Sequence, residues 1–210
     1  MGIVKGCLWV VLSVVLASGQ AASAASVTYS LLSGEVTAVT IDFDQTNRLD
    51  APVSLDAGQV NVDFDNLLLN ILSVSAAGPG VVQLGGTNGW DSVTFSNASF
   101  ASTQGTTLTG GAGGVYNYGI PVQVIADLEL DPGNIFVNDF AAQSGATGSI
   151  IALSGNQTVD ITINGVVLGA LQDPINPSAP LVLVKADFHF VASQNATPEP
   201  AVGALALLGI

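Results

Sequence analysis

From residue 27 to residue 192 apolar and polar positions alternate with a period of two, Val, Ile, Thr and Phe recur, and almost no stretch keeps a 3.6-residue period. Residues 27–32 and 35–43 predict two strands joined near Ser33-Gly34, the second with an apolar face of Val36, Val39, Ile41 and Phe43. Residues 59–65 alternate cleanly and turn Val60, Val62 and Phe64 toward a core. The run 67–74 fits either a buried strand or one or two helical turns, because a short apolar stretch carries no period of its own. After the break at 76–80, residues 81–84 and 90–95 flank Asn88-Gly89, which supplies the positive φ of a tight hairpin. Short strands are expected at Phe100, 107–109 and 115–118, the last two separated by a surface loop at 110–114. The second half reads as strands 121–130, 134–140, 149–153, 158–163, 166–171 and 181–192. Turn chemistry lies between them at 131–134, 145–148, Gly155-Asn156, Asn164-Gly165 and 173–180. Short strands at this spacing predict a single all-β domain over 25–192, an antiparallel β-sandwich or jelly-roll-like fold, followed by a polar spacer at 193–197.

The two ends of the chain break this pattern. Lys5 precedes an apolar run at 8–17 and then the small residues Ala22-Ser23-Ala24. This is the form of a secretory signal peptide, 1–24, cut after Ala24 by a signal peptidase that needs small side chains at Ala22 and Ala24. Cys7 stands before the apolar run, where lipid attachment does not fit. At the far end Pro198-Glu199-Pro200 is followed by ten residues, 201–210, all apolar or Gly. The prolines fix φ and withhold two backbone donors, so they end the preceding strand. This tail resembles the C-terminal sorting signal of PEP-CTERM proteins, which exosortase-type membrane enzymes process in exopolysaccharide-producing bacteria. The resemblance covers residues 197–210 and implies a sorting signal at Pro198, Glu199 and Pro200, an exosortase-type partner, and a place on the cell surface or in the extracellular matrix of a biofilm. The family pattern continues for about 20 apolar residues and closes with Arg. Here ten apolar residues end without a basic cluster, so the signal is incomplete and no stable membrane span is expected.

Charge narrows the partners. Three Lys and Arg face sixteen Asp and Glu, a formal net charge of −13. Removal of the leader takes Lys5 and Cys7, leaving Arg48 and Lys185 as the strong bases and no cysteine to form a disulfide. Nucleic acid and anionic membrane surfaces are excluded as partners by repulsion, while calcium stays permitted. With 9% charged residues and a mean hydropathy of +0.56 the chain lies far from the disordered class, and its stability must come from one core.

Few residues suggest chemistry. Asp42-Phe43-Asp44-Gln45-Thr46 resembles the nucleophile motif of haloacid-dehalogenase-type phosphatases, but those are α/β enzymes that need a nearby Lys, and this chain offers neither helices nor the base. Asp42, Asp44, Asp63 and Asp65 are candidate Ca2+ ligands, since Asp-x-Asp puts two carboxylates on one face and the pairs meet if their strands are neighbours. The alternative is a solvated face, and no EF-hand loop is present. His189, the single histidine, alternates with Lys185 and Asp187 on a polar face opposite Ala186, Phe188 and Phe190. A glycosidase pair would draw on the few glutamates, Glu35, Glu129 and Glu199, the last in the sorting motif, and a hydrolase more broadly on Glu35, Glu129 or Asp42, with Tyr29, Trp90, Tyr116 and Tyr118 as sugar-stacking candidates. The expected function is therefore structural or adhesive rather than enzymatic: an acidic, exported protein of the bacterial envelope or exopolysaccharide matrix. A Ca2+-dependent carbohydrate-binding module is the first alternative and an extracellular hydrolase the second.

Overall fold

The computed structural model describes residues 26–41, 49–87, 90–131, 135–171, 178 and 182–195. The signal peptide, the sorting signal, Asp42 and Asp44 lie outside them. The described chain is built of eleven strands and one 3-10 turn, Ala112–Gly114. The strands are β1 Val27–Ile41, β2 Val53–Asp63, β3 Leu68–Ala76, β4 Gly80–Thr87, β5 Trp90–Ser102 and β6 Thr106–Thr107, then β7 Thr109–Gly110, β8 Val115–Asp131, β9 Ile135–Leu153, β10 Thr158–Leu171 and β11 Val182–Gln194.

Every ladder is antiparallel, in the order β4-β5-β3-β2-β1-β11-β10-β9-β8-β7, and β5 also pairs with β8. That extra pairing joins the path to itself, so β1, β2, β3, β5, β8, β9, β10 and β11 form a hydrogen-bonded ring of eight. Each ring strand follows its neighbour in sequence as an up-and-down meander, so the expected sandwich holds, with its two layers joined along both sides. Eight strands leave an interior that side chains can fill. Phe100 of β5 and Phe188 of β11, on opposite sides of the ring, bring their ring centroids to 4.8 Å.

Strict alternation makes this interior. On β8, Tyr118, Ile120, Val122, Val124, Ala126, Leu128 and Leu130 are all buried, while the residues between them are exposed or half-buried. Burying one Val, Leu or Ile contributes roughly 1.5–3 kcal/mol before chain entropy is set against it. The apolar side faces inward and the outward side is mostly polar, the reverse of what a membrane-spanning barrel requires. Among the described residues no helix is long and apolar enough to cross a membrane.

Several expected turns are in fact strand interior. β1 runs through Ser33-Gly34, β9 through Gly145 and Gly148, β10 through Asn164-Gly165, and β8 joins the segments expected at 115–118 and 121–130. Two physical causes account for the glycines. Gly34 and Gly148 sit directly opposite Phe190 and Tyr118 across a ladder, and a Cβ on Gly34 would come within 2.5 Å of the Phe190 Cβ. Gly165 has a φ of 73° and lies in a bulge that takes up one extra residue of β10 between the pairs Ile163↔Phe188 and Val166↔Ala186. The Gly165 N–H donates to the Asp187 carboxylate at 2.8 Å, which holds the bulge. The buried phase shifts there from Ile161 and Ile163 to Val166 and Leu168.

The ambiguous run at 67–74 contains strand β3, and the strands expected to flank the hairpin are present as the antiparallel pair β4–β5, while Asn88 and Gly89 lie outside the described residues. β11 continues two residues past the expected boundary at 192 and takes in the start of the spacer. Asn195 still donates its N–H to the Thr28 carbonyl at 3.1 Å and accepts from the Ser30 hydroxyl at 2.6 Å.

Candidate functional site

Antiparallel pairing places one of the two aspartate pairs. β1 and β2 are neighbours and Val27 lies opposite Val62, so Asp63 sits beside the start of β1. Asp42 and Asp44 follow β1 at its other end and lie outside the described residues. Among the described residues no three of His, Cys, Asp and Glu come together as a metal-holding group.

Asp63 instead closes the β2–β3 turn. Its Oδ1 accepts the N–H groups of Asp65 at 3.1 Å and Asn66 at 2.8 Å, and its Oδ2 accepts the Asn66 amide at 2.7 Å. The Asn66 side chain and then the Asn66 N–H hold the Asp63 carboxyl below its usual pKa against a smaller opposing effect of burial, and the Asp65 N–H makes the smallest contribution. Asp65 itself is exposed.

The remaining candidates separate. Glu35 and Glu129 point outward from β1 and β8, on opposite sides of the ring, and so do not form a glycosidase pair, whose carboxyl groups stand within about 10 Å of each other. His189 faces outward as expected, and its Nε2 lies 2.8 Å from Asp160 Oδ1, with Glu35 and Thr162 as its cross-strand neighbours. Tyr29, Trp90 and Tyr118 are buried and serve the core, and Tyr29 also borders a hollow at the end of the ring. The Tyr118 hydroxyl donates to the Thr162 carbonyl at 2.8 Å, and burial pushes its pKa far up.

Two hollows of about 270 Å³ each lie at one end of the ring, and both include Asp63 in their walls. Tyr116 packs there against Phe64, centroids 5.2 Å apart with the rings tilted by 42°. Both rings are half-buried, so Phe64 is a rim residue and not the full core residue its place in the alternation suggested. The first hollow lies between the β2–β3 turn and the β9–β10 turn, with Phe64, Asp65, Gly155, Asn156 and Gln194 around it. Its floor is fixed by two bonds to the Asn156 carbonyl, from the Tyr29 hydroxyl at 2.6 Å and the Gln194 amide at 2.8 Å. Asn61, Asn70 and Leu68 line the second hollow. Thr28 donates to the Asn61 amide oxygen at 2.7 Å, and Ser102 donates to the Asn70 amide oxygen. Sequence reasoning missed this site because its residues come from segments far apart in the chain and only the ladder register brings them to one end.

No protein-family model, no curated protein and no solved structure matches the chain.

Proposed function

We propose that this chain is an exported structural or adhesive protein of a bacterial envelope or exopolysaccharide matrix. A leader ending at Ala24 directs export, and the PEP-CTERM-like signal at Pro198-Glu199-Pro200 directs sorting. The observation that carries the reading is the placement of the two ends of the folded body. Tyr29 pairs with Gln194 and Asn195 bonds to Thr28, so the chain leaves β1 toward the leader and β11 toward the tail at the same end of a closed sheet. A body closed in this way holds together without disulfides, as export of a chain with no cysteine beyond the leader demands. Its predominantly polar exterior and net charge of −13 suit a protein that stays soluble among sugars and away from anionic membranes.

Fractionation of the producing cell tests this. The protein is expected in the envelope and matrix fractions, and Pro198→Ala with Pro200→Ala is expected to move it into the medium. Recovery of the wild-type protein from the cytoplasm contradicts the reading.

A further inference from the structure

We infer that the two hollows at the end of the ring bind a neutral sugar chain, one unit on each side of the β2–β3 turn. The inference deepens the proposal of an adhesive matrix protein by naming its ligand class, and it rests on that reading only for its biological setting.

Size comes first. Each hollow, at about 270 Å³, is near the lower end of ligand pockets, which start at roughly 300 Å³, and so takes a ring rather than a large molecule. Because both hollows include Asp63, they stand next to each other across a single turn, which matches two successive units of a chain. The turn is held by three hydrogen bonds to the Asp63 carboxylate, so the wall between them is set before any ligand arrives.

The lining chemistry selects the class. Phe64, braced from one side by Tyr116, offers an aromatic surface to the C–H face of a sugar ring. Around it Asp65 supplies an acceptor, while Asn156 and Gln194 supply amides. Across the turn Asn61 and Asn70 supply two more. Hydroxyl groups both donate and accept, and amides beside a carboxylate answer both roles. Among the described residues no Lys, Arg or His lines either hollow, and Asp63 and Asp65 repel an anionic sugar. A divalent cation is disfavoured as the occupant, because Asp63 is already committed to the turn.

Calorimetric titration of the full-length chain tests this with maltotetraose, cellotetraose, mannotetraose and xylotetraose, and with tetragalacturonate as the anionic counterpart. At least one neutral tetraose is expected to bind, and tetragalacturonate is not. Phe64→Ala and Asp65→Asn are each expected to weaken binding about tenfold, equivalent to ~1.4 kcal/mol. Asp65 is exposed and, among the described residues, its carboxylate takes part in no hydrogen bond, so its variant separates loss of binding from loss of structure. Asp91→Asn, on β5 away from the hollows, leaves affinity unchanged. The inference is overturned if no neutral tetraose binds up to roughly 10 mM. It is also overturned if the Phe64 and Asp65 variants bind as tightly as the wild type, or if tetragalacturonate is preferred. Absence of binding by a protein still recovered from the matrix overturns this inference alone, whereas a cytoplasmic location overturns the functional reading and leaves the binding result standing.

Discussion

Phe190 lies within β11 and Phe64 in the turn just after β2, and the two aromatics live under different constraints. Phe190 is 1% exposed and lies across from Gly34, so close that a single added carbon on the glycine would collide with it. Phe64 is half-buried, leans on Tyr116 and borders open space. The interior is filled to the limit, and its residues are fixed by volume. The turn end is held by hydrogen bonds to Asp63 and to the Asn156 carbonyl, with room left for something else. Stability and binding are thus assigned to different parts of the ring, and substitutions should separate them.

The largest effect is expected at Gly148. A Cβ there would lie 2.0 Å from the Thr162 carbonyl oxygen and 2.7 Å from the Tyr118 hydroxyl, and backbone cannot yield as a flexible side chain can. Gly148→Ala should cost about 3 kcal/mol or more in urea unfolding. Gly155→Ala at the turn end meets no atom within 4 Å and carries only the strain of its φ of 65°, about 1 kcal/mol. Equal effects would erase the contrast. Next, Phe190→Ala should cost roughly 3–5 kcal/mol by leaving a cavity, while Phe64→Ala should cost about 1 kcal/mol and act mainly on binding.

Tyr118→Phe is smaller, about 1–2 kcal/mol, because it strands the Thr162 carbonyl, and its signature is in the pH profile. The buried phenol stays neutral in the fold while the unfolded phenol ionises near pH 10. Its contribution is therefore complete below about pH 10 and is lost as the pH rises further, so alkaline unfolding of the phenylalanine variant should be shallower. The smallest change concerns Asp63. Its folded pKa lies below the unfolded value of 3.8, so its contribution is present above that value and fades as the pH falls through the folded one. Asp63→Asn should flatten the acid limb of the stability curve below about pH 4 without moving the alkaline limb.

The fold was legible where the alternation held one phase. β8 keeps its buried positions in step from Tyr118 to Leu130, and the strand expected at 121–130 lies wholly within it. The reading failed at Gly34, Gly148 and Gly165 for a definable reason. A glycine required by a facing aromatic, or by a bulge, has the same one-letter appearance as a glycine required by a turn, and only cross-strand register tells them apart. The candidate site was less legible still. Asp63 was singled out, but as a cation ligand, because its local bonds to Asn66 depend on turn geometry. Asn61, Asn156 and Gln194 carry no pattern of their own, and their meeting is a property of the closed ring. Trp90 and Tyr118 promised sugar stacking by residue type and are buried, whereas Phe64, expected to face the core, packs against it from the rim.

If, as proposed, the folded body travels between two processing signals, mass spectrometry of the protein recovered from its producing cell should find a chain that begins at Ala25 and ends near Pro198 to Pro200 or carries an attached group there. A chain that still begins at Met1, or that reaches an unmodified Ile210, would contradict it.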